Sequence, residues 1–221
     1  MQHKAVVFGI ILLSSLNLYS QKAELFGGYH FPSFVISEKP ESSEVHASNG
    51  NGFSLGISFQ DVMIQKNPVQ FVFRYTASSS DWKFLTPEDK IHKKHNITLS
   101  MQSLEAEIFP INIKAMEKKL NIGLGTTFEF IQSDKYEGTI EVLDSTSTIE
   151  LVHVESYGNL VQFSFGLSAN FSYEIILTEG IFLAPRYAFS YGFTNISTAD
   201  LPFEAQKMKH FFELGIRAYL D

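Results

Sequence analysis

The chain has no cysteine in its 221 residues and a single tryptophan. Without cysteine there is no disulfide, no thiolate zinc site, no cysteine nucleophile and no acylated-cysteine lipoprotein anchor. Charge is sparse, at 19% of residues, and arginine sparser still, with only Arg74, Arg186 and Arg217. The balance of 17 basic against 24 acidic residues leaves a net charge of −7 and no basic footprint for nucleic acid. No stretch supplies the ~18 consecutive apolar residues of a membrane-spanning helix. Glycine-rich phosphate loops and recognisable nucleophile motifs are also missing. The expectation is therefore no catalytic residue, no cofactor and no metal.

What the chain does have is hydrophobicity, at 44%, including 21 Phe and 9 Tyr. That is too apolar for a disordered chain. The first twenty residues set Lys4 ahead of the apolar run Ala5–Leu13 and a small-residue end at Ser20. This is the layout of a cleaved secretory signal, with Gln21 first in the mature chain. Its loss removes Lys4 alone among charged residues and takes the net charge from −7 to −8. Residues 21–221 then form one domain.

Beyond the signal, apolar residues recur with period two, so each such segment has one apolar and one polar face. The cleanest runs from Leu160 to Tyr173, with Phe163, Phe165 and Leu167 on one face and Ser164, Gly166 and Ser168 on the other. Similar alternation covers residues 23–36, 53–60, 69–78, 119–131, 181–193 and 208–220. Residues 95–113 change phase, from Ile97, Leu99 and Met101 to Leu104, Ala106 and Ile108. A bulge near Gln102–Ser103 is the expected reason. Eight strands result. The connections between them, 37–51, 64–68, 81–94, 114–118, 133–157, 175–180 and 194–207, alternate long and short. That is the pattern of an outer-membrane barrel, with short periplasmic turns and long extracellular loops. The longest, 133–157, alternates internally and is expected to form a hairpin turning at Asp144–Ser147.

Periodicity does not say which face looks outward. Small Gly and Ser residues dominate the polar face, as a crowded eight-strand interior requires. Tyr75, Tyr173, Tyr191 and Phe193 suit interfacial girdles near strand ends. All three arginines lie on the polar face, together with Glu24, Glu129 and Glu213, while lysine clusters in the loops. The expectation is an all-β, eight-stranded antiparallel up-and-down transmembrane β-barrel. Its interior would hold an ionic network of Arg74, Arg186, Arg217, Glu24, Glu129 and Glu213, with Glu129 and Glu213 as the main arginine partners. Phe163, Phe165, Leu167, Phe71, Phe73 and Phe189 would face lipid. Such an interior is filled, which rejects an open porin. The HxxH pair His92 and His95 sits beside Lys93 and Lys94, which oppose a metal cation. It reads as a charged loop tip.

The whole mature chain resembles the eight-stranded outer-membrane barrel proteins of Bacteroidetes, the PorT-like and OmpA-barrel-like group. The residues that carry the resemblance are Tyr19-Ser20-Gln21-Lys22, Phe26-Gly27-Gly28, the segment LEAEIFPINIK from Leu104 to Lys114, and Asn121-Ile122-Gly123-Leu124-Gly125. The chain departs from that group in an extra residue before Pro110 and in its Leu220-Asp221 end, which lacks the terminal aromatic. The resemblance implies a monomeric barrel in outer-membrane lipid with a structural or interaction role linked to protein secretion, in contact with envelope proteins of a secretion system. The competing classes are an enzyme acting on lipid or peptide at the extracellular rim and a soluble lipocalin-like lipid carrier.

Overall fold

The computed structural model describes residues 22–38, 45–64, 67–88, 91–143, 149–158, 160–197 and 203–220. The expected signal segment and the Asp144–Ser147 turn lie outside them. Eleven strands are present: β1 (Lys22–Glu38), β2 (His46–Ala47), β3 (Asn51–Ile64), β4 (Asn67–Glu88), β5 (Ile91–Ala115), β6 (Leu120–Leu143), β7 (Ile149–Tyr157), β8 (Phe163–Tyr173), β9 (Ile175–Thr178), β10 (Ile181–Gly192) and β11 (Phe203–Tyr219). Eight of them pair antiparallel in the order β1-β3-β4-β5-β6-β8-β10-β11, and β11 returns to β1 and closes the ring. β2, β7 and β9 are short additions at the ends of this ring.

The pairing fixes the stagger. A path from Ala23 through Phe59, Phe71, Ile108, Thr126, Leu167, Tyr191 and Met208 re-enters β1 at Ser33, ten residues above its start. With ~3.3 Å per residue and ~4.8 Å between strands, an eight-strand ring of this stagger tilts its strands by roughly 41°. Among the described residues each of the eight ring strands has a neighbour on both sides, and β1 begins and β11 ends at the lower end of the barrel, beside the short turns.

Among the described residues three register shifts interrupt the ladders of the ring, besides one where β9 pairs β10. In β3 an extra residue falls between Phe59 and Val62, where Asp61 takes a left-handed φ of 58°. In β5 the shift lies between Ile108 and Ile111 and contains Pro110, which has no N–H to give to a ladder. The third corrects the sequence reading. Gln102 pairs Ser133 and Ser103 pairs Ile131, so the extra residue, Gln132, belongs to β6 and not to β5. In β5 itself Ile97, Leu99, Met101, Ser103, Glu105, Glu107 and Phe109 are all buried and all odd-numbered. The strand keeps its facing. The chemistry on that face changes instead.

That change also explains why the loops were overestimated. Residues 81–94 are mostly strand, with β4 running to Glu88 and β5 resuming at Ile91. Residues 133–143 belong to β6 and 149–157 are β7, paired with it as a hairpin, and 203–207 already belong to β11. These upper strands carry polar residues outward, so they resemble loops in composition. They still bury Val45, Trp82, Phe84, Ile97, Leu99, Met101, Ile131, Leu160 and Ile196 in one apolar cluster inside the upper barrel.

Candidate functional site

Inward parity on the lower strands brings charged side chains into one lumen. Arg74 on β4 donates from Nε to Glu213 Oε1 at 2.8 Å and from Nη2 to Oε2 at 3.2 Å. Its Nη1 also lies 3.2 Å from Glu105 and 3.0 Å from Glu107 on β5. Arg217 on β11 donates to Glu24 at 2.6 and 3.0 Å and to Glu174 at 2.6 Å. Arg186 on β10 lies between Glu24 at 3.5 Å and Glu213 at 3.7 Å, the two longest contacts of the set. Lys22 reaches Glu174 at 2.7 Å. At the upper end Lys207 and Lys209 both donate to Glu129, at 2.5 and 2.7 Å, and Lys209 also pairs with Glu105.

These contacts join into one chain of twelve groups: Lys22, Glu174, Arg217, Glu24, Arg186, Glu213, Arg74, Glu107 and Glu105, then Lys209, Glu129 and Lys207. Six are acids and six are bases, so the buried network is neutral. Buried charge is tolerated only when each member is matched and its remaining hydrogen-bonding capacity is used. Small hydroxyls supply part of that capacity, whereas Arg186 Nε and Nη2 and both Glu107 carboxyl oxygens have no hydrogen-bond partner among the described residues. Ser54 donates to Glu213 at 2.7 Å, and Arg217 donates to Ser172 at 3.2 Å. Aromatic rings share the lumen. The Arg74 guanidinium lies 3.9 Å over Phe211, and that of Arg186 lies 4.0 Å over Phe26, both within cation–π range. The close fit has a backbone requirement at Gly215, where a Cβ would run into the Glu24 carboxylate.

The structure thus brings Arg74, Arg186, Arg217, Glu24 and Glu213 into direct contact. Glu129 sits in the same lumen but meets lysines, not an arginine. Sequence reasoning missed Glu105, Glu107, Glu174 and three lysines, Lys22, Lys207 and Lys209, so lysine is not confined to loops. Glu105 and Glu107 were readable, since they alternate with Leu104, Ala106 and Ile108. Lys207 and Lys209 flank Met208 with the same period. Glu174 lies just past β8 and gave no such signal.

The outer face of the lower barrel is the opposite in character. Phe163 and Leu167 are each 52% exposed and Phe165 38%. Phe71, Phe73 and Phe189 are partly exposed on the same outer surface. Leu25, Leu55, Ile57, Leu214 and Ile216 continue the belt. Of the expected girdle residues, Tyr173 and Phe193 lie near the ends of this belt, whereas Tyr75 is mid-strand within the long β4.

Above the belt both faces exchange roles. On β4 the inward series runs Arg74, Thr76, Ser80, Trp82, Phe84, and the outward series runs Phe73, Tyr75, Ala77, Ser79, Asp81, Lys83. One strand is polar-in and apolar-out below, and apolar-in and polar-out above. Trp82 packs edge-on against Phe34 at 4.6 Å inside this upper chamber. His95 lies over the Phe84 ring at 4.3 Å and hydrogen-bonds Thr86 at 3.1 Å, so it belongs to a strand and not a loop tip. The side chain of His92 is outside the described set. His30 stacks on Phe211 at 5.3 Å in the lumen, and His210 contacts the Tyr187 hydroxyl at 2.8 Å on the outer wall.

On the β6–β7 hairpin, Lys135 lies 2.6 Å from Glu137 and 3.1 Å from Glu155, and Tyr157 donates to Glu155. The hydrogen bond from Tyr157, then that from Lys135, holds the Glu155 carboxyl below its usual range. Bonds to Glu137 and Glu155 push the Lys135 ammonium up.

No family model matches the chain, and no curated protein matches it. Among solved structures it is similar to Neisserial surface protein A, at 14% identity over 90% of this chain and 96% of that one, with a TM-score of 0.44. It is similar to Ail, the attachment invasion locus protein of Yersinia pestis, seen with a heparin analogue, at 11% identity over 89% and 97%, TM-score 0.40. It is also similar to the outer membrane protein OprG from Pseudomonas aeruginosa, at 9% identity over 91% and 97%, TM-score 0.43. At these values the likenesses say nothing of this chain's activity.

Proposed function

We propose that this chain is a small outer-membrane β-barrel protein with a filled interior and a structural or interaction role at the cell surface. One observation carries the reading: the reversal of polarity along strands that do not change facing. A soluble barrel meets water at every height and has no reason to bare Phe163, Leu167, Leu55 and Ile216 below while covering Trp82 and Leu99 above. A wall in lipid below and in water above needs that arrangement. The belt then marks the hydrocarbon region, the lower end with its termini faces the periplasm, and the upper hairpins stand outside the cell.

The six-acid, six-base chain fills the lumen, which supports a non-porin. Delivery is by a cleaved signal at residues 1–20. The resemblance to PorT-like proteins supports a link to protein secretion through contact with envelope components. Three measurements test this. The protein should fractionate with outer membranes and show a heat-dependent gel mobility, and purified protein should give no steady conductance in planar bilayers. Detergent-free solubility would overturn the membrane reading, and stable open channels would overturn the filled interior. Undiminished cargo secretion in a deletion strain would overturn the secretory link.

A further inference from the structure

Strand β7 pairs with β6 over its full length, and among the described residues no strand pairs along its other side. Such an edge offers a row of backbone donors and acceptors to any extended chain. The other upper edges are blunted. Pro32 sits in β1 just past the end of its pairing with β3, Ala205 of β11 is bonded by Ile196 and Asn195, and β4 carries Lys83 and Pro87 and is partly covered by β2. β7 reads IELVHVESY, with no proline, glycine or lysine. It is also a good strand former, rich in Ile, Val and Tyr.

The hairpin has a strong charge of one sign. Residues 133–157 contain six acids, Asp134, Glu137, Glu141, Asp144, Glu150 and Glu155, against the single Lys135, a net of −5. Lys135 is already held by Glu137 and Glu155, Glu141 meets Lys94 of β5 and Asp134 is buried, so the exposed carboxylates described on the hairpin are Glu137 and Glu155, with one lysine between them. On one face of β7, Leu151 and Tyr157 are 67% and 65% exposed, with His153 and Glu155 between them. Two such hairpins repel each other, which disfavours a second copy of this chain as the occupant. We infer that the β7 edge is a docking site for an extended cationic polypeptide segment, which adds as a further strand. Its alternate apolar residues would cover Leu151 and Tyr157, and its Lys or Arg side chains would meet the hairpin carboxylates. Backbone bonds give the affinity, and charge selects the partner.

The free edge and its charge exist whatever surrounds the lower barrel, so the test works in detergent on the full chain. Hydrogen exchange of residues 149–155 is followed with a nine-residue peptide alternating Lys and Val. Two companions are compared with it, one N-methylated at every amide and one with Glu in place of Lys. The Lys–Val peptide should slow exchange of this segment roughly tenfold or more at saturation, and added salt should weaken it. The N-methylated peptide should give no protection, because it lacks the donors a strand needs. Unchanged exchange with the Lys–Val peptide, or equal protection by the N-methylated one, overturns strand addition. Equal protection by the Glu peptide overturns a cationic partner. Protection that rises with protein concentration in the absence of peptide makes a second copy the occupant and also overturns the inference.

Discussion

The two halves of strand β5 face the same way and do opposite things. Below, Ser103, Glu105 and Glu107 point into the lumen while Leu104 and Ala106 look outward. Above, Ile97, Leu99 and Met101 point inward while Thr98, Ser100 and Gln102 look outward. The strand keeps its facing across the boundary, so on the proposed reading what differs is the medium outside the wall. The lower half keeps its charges away from an apolar surrounding and matches them six to six. The upper half keeps its apolar side chains away from water, as any soluble sheet does. An alternating pattern therefore reports an environment only when both faces are followed along the whole strand.

The largest effect on this contrast is expected from Arg74→Leu. It takes away the basic partner of Glu107 and one partner each of Glu105 and Glu213, and removing one partner of a buried pair costs ~3–5 kcal/mol. Urea unfolding of the folded gel band should show it, and an unchanged midpoint would mean that these carboxylates reach water. Arg186→Leu should cost less, because its contacts at 3.5 and 3.7 Å are the longest in the chain of charges.

Next come two leucines on one strand. Leu99 is fully buried in the upper core, and Leu104 is 42% exposed on the outer belt. Leu99→Ala removes packing that cannot fully relax and should cost about 2–5 kcal/mol. Leu104→Ala, whose place acyl chains can fill, should cost well under that in the same urea titration. Equal losses at the two sites would erase the difference between the halves.

Phe165 sharpens the comparison from the outside. Phe165→Arg near the middle of the belt is expected to cost roughly 2–4 kcal/mol in a bilayer. Phe165→Leu, which keeps the contact apolar, should have little effect. A large loss with Leu would mean a close-packed protein partner at this position instead of lipid.

The smallest effect belongs to the upper hairpin. Glu155 has its pKa depressed by bonds from Tyr157 and Lys135, so its ionised form is favoured in the fold. The stabilisation it gives is present above the unfolded carboxylate pKa and is lost as pH falls through the lower, folded value. Tyr157→Phe removes the leading cause and should move the Glu155 titration up in an NMR pH series. No movement would show that the hydroxyl contact does not hold in solution.

Much of this was legible in the sequence. The eight ring strands follow from period-two alternation, and the parity of Arg74, Arg186, Arg217, Glu24 and Glu213 placed them on one face. The partners within that face were not legible, because they depend on a ten-residue stagger that no single strand encodes. Lys207 was read as a loop residue because hydrophobic contrast fades where the outward side chains become polar. The same effect hid the upper halves of β4 and β5. The phase change between Met101 and Leu104 was visible, but it has two physical readings, an extra residue or a change of medium. Only the paired register, with its extra residue at Gln132 across the ladder, separates them.

The most direct measurement follows one strand across the boundary. Because the chain has no native cysteine, single cysteines can carry nitroxide labels without background. Labels at outward positions 71, 73 and 75 of β4, and at 79, 81 and 83 above them, would be compared in lipid bilayers by their collision rates with oxygen and with a water-soluble nickel complex. The lower three should collide with oxygen and be shielded from nickel, and the upper three should show the reverse, with the crossover between 75 and 79. Nickel access at all six positions, or a crossover that is absent, would contradict a wall that passes from lipid into water.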